Sequence, residues 1–169
     1  RPAPAATAAR RRAASRAPRP QSYTGPCGVS AAAGFQVDPK VVASSWAVVD
    51  IDSGEVVAMK DPHGRYRPAS LIKVLLALVA IDELDLDAVV PVSAESASQE
   101  GSAAGIGEDG TYTVRDLLHG LILASGNDCA HALAQALGGD SAALGQVQQR
   151  ALERGMADAR AATHAGRQT

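Results

Sequence analysis

The chain has 169 residues, 46% of them apolar, which is enough to bury one core of ordinary size. Its formal net charge is only -2, yet residues 1–20 hold six arginines and no acid, so the rest carries ten Lys and Arg against eighteen Asp and Glu. This acidic body disfavours nucleic-acid binding by the folded part, and two cysteines are too few for a disulfide framework.

The first segment, residues 1–35, is rich in Ala, Pro, Arg, Ser and Gly and has no apolar period. This composition predicts a disordered arm, whose arginines fit a solvated tail better than a contact with an anionic surface. The basic start is not followed by an apolar stretch, so we expect no signal peptide in this chain. Because the chain begins with Arg1 and not Met, we expect a processed or incomplete product.

Order is predicted to begin near Val41. Residues 45–51 and 55–59 read as two strands around the turn Asp52-Ser53-Gly54, which together indicate a β-hairpin. Residues 71–81 form the longest strongly apolar run, apolar on every helical face, which predicts a helix buried on all sides. Its eleven residues fall short of the ~20 that span a bilayer, so no transmembrane helix is expected.

The second half of the chain reads mostly as helices. Residues 89–92 form a short extended piece, and residues 93–110, with four glycines, read as a long irregular loop of the kind that is often functional. Thr113 with Asp116 three residues later forms a capping-box pattern at the start of the next helix. Further helices are predicted over residues 129–137 and 141–154, stopped by glycines.

Two polar residues interrupt the first turn of the apolar helix. Ser70 and Lys73 are three apart, so they lie on the same face of the helix, just after Pro68. A serine hydroxyl needs a base to become a nucleophile, and desolvation against an apolar core favours the neutral, basic form of a lysine. Ser70 is therefore a candidate nucleophile with Lys73 as its base; the structural alternative is a helix cap and a snorkelling lysine.

A second polar motif, Ser125-Gly126-Asn127, breaks an apolar run and is followed at once by another helix. Alone it would read as a helix–helix turn, since Ser, Gly and Asn are turn residues. Cys129 reads as a small core residue, and a bridge to Cys27 stays open because spacing cannot decide it. Asp128, Cys129 and His131 lie close in sequence, but their spacing does not predict a metal site.

Together the two motifs resemble the active-site signature of the penicillin-binding protein and serine β-lactamase superfamily. The glycine in the middle of Ser125-Gly126-Asn127 is similar to the low-molecular-weight D-alanyl-D-alanine carboxypeptidases and not to class A β-lactamases. The resemblance runs from about Ser44 to Ala162 and is carried by four segments: Pro68-Ala69-Ser70-Leu71-Ile72-Lys73, Glu100-Gly101-Ser102, Tyr112-Thr113-Val114-Arg115-Asp116-Leu117-Leu118 and Leu123-Ala124-Ser125-Gly126-Asn127-Asp128.

This resemblance implies a fold and a set of roles. The fold is α/β of the α+β type, β-lactamase/transpeptidase-like, with a helical subdomain plus an incomplete antiparallel sheet, and residues 41–169 are its N-terminal part. Ser70 would attack the terminal D-Ala-D-Ala bond of a peptidoglycan stem peptide and form an acyl-enzyme. Lys73 would take its proton, Ser125 would relay a proton to the leaving amine, and Asn127 would bind the substrate amide and help position Lys73.

The family's third motif, Lys-Thr-Gly, is not found in the chain. The only lysines are Lys40, Lys60 and Lys73, and none precedes Thr-Gly. In the family that motif supplies an oxyanion-hole N–H group and a cation for the substrate carboxylate, and losing one oxyanion donor costs on the order of 100- to 1000-fold in rate. We therefore expect a chain truncated before this motif, with reduced or no activity.

The resemblance also implies partners and a location. β-Lactams are expected as covalent inhibitors, no metal or cofactor is implied, and the substrate class places the enzyme on the cell-wall side of the membrane. Two alternatives stay open: a non-catalytic domain that binds peptidoglycan or penicillin, and a β-lactamase-like hydrolase, which Gly126 and the lack of a clear deacylating Glu disfavour.

Overall fold

The computed structural model describes residues 24–25, 28–157, 159–163 and 166. The chain divides into two compact units, Arg1–Gly64 and Arg65–Thr169. Residues 1–23 and 26–27, most of the predicted arm, lie outside the described residues, and so does Cys27. The predicted arm therefore stays a prediction, and Cys129 is a free, buried cysteine in the structure.

The first unit contains a four-stranded antiparallel sheet in the order β1-β2-β4-β3. Its strands are β1 (Thr24–Gly25), β2 (Val29–Ala31), β3 (Trp46–Val49) and β4 (Val56–Lys60). The pairing of β3 with β4 confirms the predicted hairpin, and Asp50 Oδ1 closes its turn by accepting from the backbone N–H of Ser53 at 2.7 Å.

Strand β2 lies earlier in the chain than the point where order is predicted to begin. Val29–Ala31 pairs with β4 in the register Val29↔Lys60, so regular structure begins upstream of residue 41, within the segment predicted as an arm. The three residues are too short and too mixed in polarity to carry a strand pattern of their own. Their pairing depends on β4, which offers a second hydrogen-bonding edge beside the hairpin.

The second unit is mostly helical. A 3-10 turn (Ala69–Leu71) leads directly into α1, and β5 and β6 pair as a two-stranded antiparallel sheet. The elements are α1 (Ile72–Glu83), β5 (Val89–Pro91), α2 (Ala94–Ala97), β6 (Thr111–Thr113), α3 (Val114–Leu123), α4 (Asn127–Ala136) and α5 (Asp140–Glu153). Among these residues we find no helix with the length and apolar character that crossing a bilayer requires.

Helix α1 is the element around which this unit packs, and it contacts α3, α4 and α5. Leu76 and Ala80 are fully buried within it. The prediction that the helix is buried on all sides is wrong for one stripe. Leu71, Val74 and Ile81, spaced by three and seven residues, are 74%, 53% and 49% exposed. Since the helix is apolar on every face, its sequence carries no signal that distinguishes the packed faces from this one.

The predicted loop over residues 93–110 is shorter than expected, because α2 occupies its first part. Ser93 caps α2 by accepting from the backbone N–H of Ser96 at 3.1 Å. The capping box at α3 is confirmed: Thr113 Oγ1 accepts from the Asp116 N–H at 3.1 Å, and the Asp116 carboxylate accepts from the Thr113 N–H at 2.9 Å. The irregular segment that remains, residues 98–110, is called the clamp loop below.

Substituting Thr113 with Ala is expected to destabilise the protein by about 1 kcal/mol, because α3 loses the side-chain acceptor at its first turn. Thr113→Ser keeps a hydroxyl in the same place and serves as the matched control. Thermal unfolding of both variants and the wild type checks this. A Thr113→Ala variant that melts together with Thr113→Ser would show that the cap contributes nothing.

Candidate active site

The predicted nucleophile lies at the entrance to α1. Ser70 is exposed, in the 3-10 turn that immediately precedes the helix. Ala69 before it adopts a positive φ of 47°, a left-handed conformation that is costly for a residue other than glycine. Strained backbone of this kind is found preferentially at functional sites. The turn places the hydroxyl-bearing residue in solvent, three positions before Lys73.

Lys73 is buried to 2% exposure, and its amine faces three oxygens. Nζ donates to Asn127 Oδ1 at 2.7 Å, lies 3.2 Å from Ser125 Oγ, and contacts the backbone carbonyl of Ser125. As an ammonium, Nζ can donate to all three oxygens; as an amine, it keeps a lone pair that can accept a proton. Such partners offset the cost of burying an amine.

Ser125 reaches Lys73 because the connection between α3 and α4 is tightly folded. Its φ is +53°, the second left-handed conformation of a non-glycine residue in the site, after Ala69. The next residue, Gly126, donates its N–H to the Gly120 carbonyl of α3 at 3.1 Å. This geometry turns both the carbonyl and the hydroxyl of Ser125 toward the same amine, which an ordinary helix–helix turn does not require.

Asn127 opens α4 and connects Lys73 to the clamp loop. While its Oδ1 accepts from Lys73, its Nδ2 donates to the Glu100 carbonyl at 2.6 Å. Its backbone N–H donates to the Ser102 carbonyl at 2.7 Å. Both ends of the side-chain amide are therefore engaged, and its orientation is fixed by one donor and one acceptor.

Asp128, which sequence reasoning assigned no role, holds the middle of the clamp loop. Its side chain is 1% exposed and accepts four backbone N–H groups. Oδ1 accepts from Ala104 at 3.0 Å and Cys129 at 2.8 Å, and Oδ2 from Gly105 at 2.8 Å and Ile106 at 3.2 Å. Burial alone would raise the pKa of Asp128, but these donors outweigh burial and hold its pKa below the usual value.

The structure thus brings three of the four predicted site residues into direct contact: Lys73, Ser125 and Asn127. Ser70 lies in the exposed 3-10 turn that leads into α1, the helix of Lys73. The four residues come from two segments about fifty residues apart, as expected if the motifs act together.

Comparison with known proteins agrees with this geometry. A family model described as D-alanyl-D-alanine carboxypeptidase matches residues 32–168. The chain belongs to this family. Among curated relatives, the D-alanyl-D-alanine carboxypeptidase DacB2 of Mycobacterium tuberculosis is 42% identical over 128 residues, which cover 76% of this chain and 44% of the relative.

Solved structures show the same likeness. A crystal structure of a D-alanyl-D-alanine carboxypeptidase from Mycobacterium tuberculosis H37Rv aligns with a TM-score of 0.76 and 41% identity, covering 81% of this chain and 52% of that one. A variant of the Streptomyces K15 DD-transpeptidase aligns with a TM-score of 0.71 and 26% identity, covering 76% and 55%. The chain spans about half the length of these relatives. The predicted α+β fold class and the family resemblance are confirmed.

The glycine of Ser125-Gly126-Asn127 has a local steric reason in this chain. A Cβ atom on Gly126 would lie 2.5 Å from Asp128 Oδ1 and 3.1 Å from the backbone nitrogen of Ala104. The φ of Gly126 is an ordinary -62°, so space and not backbone conformation demands the glycine. The buried Asp128 carboxylate thus excludes a side chain at the middle position of the motif.

The described residues include no cluster of three or more His, Cys, Asp or Glu side chains that could hold a metal ion. Cys129 is fully buried, and burial raises the pKa of its thiol to about 12, helped by the adjacent Asp128 charge. His131 is also buried and hydrogen-bonds Ser96 Oγ through Nδ1 at 2.8 Å, which joins α4 to α2. Both residues act as core components beside the site.

The lowered pKa of Asp128 predicts how stability depends on pH. A carboxylate whose pKa is depressed by folding stabilises the protein above its unfolded pKa, about 3.9, and this contribution is lost as pH falls through the lower folded pKa. Asp128→Asn should therefore melt well below the wild type at pH 7, and the difference should shrink below about pH 4. Glu108→Gln removes an exposed carboxylate of the same loop and serves as control. A pH-independent difference for Asp128→Asn would contradict the charged, hydrogen-bonded state.

Gly126→Ala should destabilise the protein by about 1–3 kcal/mol, because its Cβ would displace the Asp128 carboxylate or the clamp loop. Gly107→Ala is the matched control in the same unit, since a Cβ there meets nothing within 4 Å. Chemical denaturation of the two variants gives the comparison. Equal stability of both would show that the contact at Gly126 relaxes freely.

Proposed function

We propose that this chain carries the nucleophile, base and proton relay of a serine-type D-alanyl-D-alanine carboxypeptidase that acts on peptidoglycan stem peptides, with reduced activity because no Lys-Thr-Gly motif is found in it. Ser70 acts as the nucleophile, Lys73 as its base, Ser125 as the proton relay and Asn127 as the residue that binds substrate and positions Lys73. The observation that carries the proposal is the buried Lys73 amine. It lies 2.7 Å from Asn127 Oδ1 and 3.2 Å from Ser125 Oγ, in the helix that follows the turn of Ser70.

The proposed reaction uses these four residues in sequence. Ser70 Oγ attacks the carbonyl carbon of the penultimate D-Ala, and its proton passes to Lys73 Nζ. As the C–N bond breaks, the proton moves from Lys73 through Ser125 Oγ to the nitrogen of the leaving D-Ala. Water then cleaves the acyl-enzyme and releases the shortened stem peptide. The short path from Nζ to Ser125 Oγ supports this relay, because proton transfer needs hydrogen-bond distances.

Asn127 is better suited to positioning than to extensive substrate contact. Its Oδ1 and Nδ2 are already engaged by Lys73 and the Glu100 carbonyl, and only 6% of the residue is exposed. One N–H of Nδ2 and one lone pair of Oδ1 are left for the substrate amide. Asn127 can therefore donate one hydrogen bond to the substrate amide and accept one from it.

The proposal also covers partners and location. Stem peptides that end in D-Ala-D-Ala are part of the cell wall, so the site would work outside the cytoplasm. β-Lactams would act as covalent inhibitors, because Ser70 would open the strained lactam amide and remain acylated.

A fluorescent penicillin tests the nucleophile. We expect a covalent adduct on the folded chain, located at Ser70 by peptide mass spectrometry and absent in Ser70→Ala. Ser125→Ala should label more slowly, because the proton relay is missing. Ser141→Ala, which removes an exposed serine on α5, should label like the wild type.

The outcomes separate the competing functions. A folded chain that gains no adduct over hours would rule out acyl transfer by Ser70. Rapid hydrolysis of the drug would identify a β-lactamase instead. Stable labelling without release of D-Ala from a stem pentapeptide would favour a non-catalytic penicillin-binding domain.

A further inference from the structure

The clamp loop is attached to the site at two points that lie on consecutive residues of α4. Asn127 holds its first part through the carbonyls of Glu100 and Ser102, and Asp128 holds the segment Ala104–Ile106 through three backbone N–H groups. The hydrogen bonds run in opposite directions: the loop offers carbonyls to Asn127 and N–H groups to Asp128. Moving one attachment point therefore shifts the other.

The loop lies in close contact with Asn127 and depends on Asp128 for most of its fixed geometry. Gly101 has a φ of +94°, and a Cβ there would lie 2.8 Å from Asn127 Nδ2. Apart from Ile106, residues 100–109 are exposed, so little apolar burial holds them in place. A buried carboxylate with three loop N–H donors is then the main anchor, because charge-assisted hydrogen bonds are about twice as strong as neutral ones.

We propose that Asp128 is a positioning residue for acyl transfer. Its carboxylate fixes residues 104–106, which keeps the Glu100 and Ser102 carbonyls against Asn127 and thereby directs Asn127 Oδ1 at Lys73 Nζ. Asp128 contacts none of the reacting groups and acts on them through the clamp loop. The proposal deepens the proposed function and rests on it for its catalytic consequence, while its structural part can be tested without catalysis.

Asp128→Asn is the decisive variant, because it keeps the size of the side chain but replaces one oxygen with an NH2 group that cannot accept an N–H. The rate of acylation by fluorescent penicillin at saturation should fall roughly 10- to 100-fold, as a misplacement of about 1 Å can cause. In NMR spectra the side-chain amide signals of Asn127 should shift, and the N–H groups of residues 104–106 should exchange faster with solvent.

Asp116→Asn is the matched control. Asp116 also accepts a backbone N–H, at 2.9 Å from Thr113 in the capping box, but it has no contact with the clamp loop. We expect a lower melting temperature with an unchanged acylation rate and unchanged Asn127 signals. If Asp128→Asn behaves in the same way, with stability as its only change, the positioning role is overturned.

A second variant changes the part of the clamp loop that Asn127 holds. Gly101→Ala leaves Asp128 intact but pushes the loop away from Asn127 Nδ2, so it should lower the acylation rate and shift the Asn127 signals as Asp128→Asn does. It also decides the matter if Asp128→Asn fails to fold: wild-type rate and spectra in Gly101→Ala would overturn the proposal. If the wild type itself is not acylated, the proposed function fails, and the NMR measurements alone decide whether Asp128 positions Asn127.

Discussion

The structure of the site depends on one buried amine. Lys73 sits in the first turn of a helix whose neighbours are apolar, and oxygens of Ser125 and Asn127 compensate its polar head. Two of these oxygens belong to Ser125, whose left-handed backbone is the conformation that turns its carbonyl and hydroxyl to the same side. The hydrogen bonds to Lys73 offset the cost of that conformation, because without them the buried amine would be unsatisfied.

The groups that hydrogen-bond Lys73 are themselves held by further hydrogen bonds. Asn127 supplies the third oxygen, and its amide can point at Lys73 because its nitrogen is bound to the Glu100 carbonyl. That carbonyl belongs to an exposed loop, whose Ala104 and Gly105 N–H groups donate to the Asp128 carboxylate. The amine therefore organises a network in which each member fixes the next, and a network of this kind is stable only when all members are satisfied.

The sequence could predict the features that depend on residues close together in the chain. The hairpin, the capping box of Thr113 and Asp116, and the placement of Ser70 and Lys73 at a helix start depend on residues within a few positions of each other. The role of Asp128 could not be read in this way, because its donors lie 22 to 24 residues upstream and are backbone groups. The exposed stripe of α1 was missed for the opposite reason: every face is apolar, so no pattern selects one.

Asp128 also explains the composition of the neighbouring motif. Its carboxylate occupies the space that a side chain at position 126 would need, and α3 approaches as closely at Gly120, where a Cβ would lie 2.5 Å from Cys129 Sγ. The two glycines let α3, α4 and the clamp loop meet around one buried charge. In this chain, the glycine at the middle of Ser125-Gly126-Asn127 is thus required by the carboxylate of the residue that follows the motif.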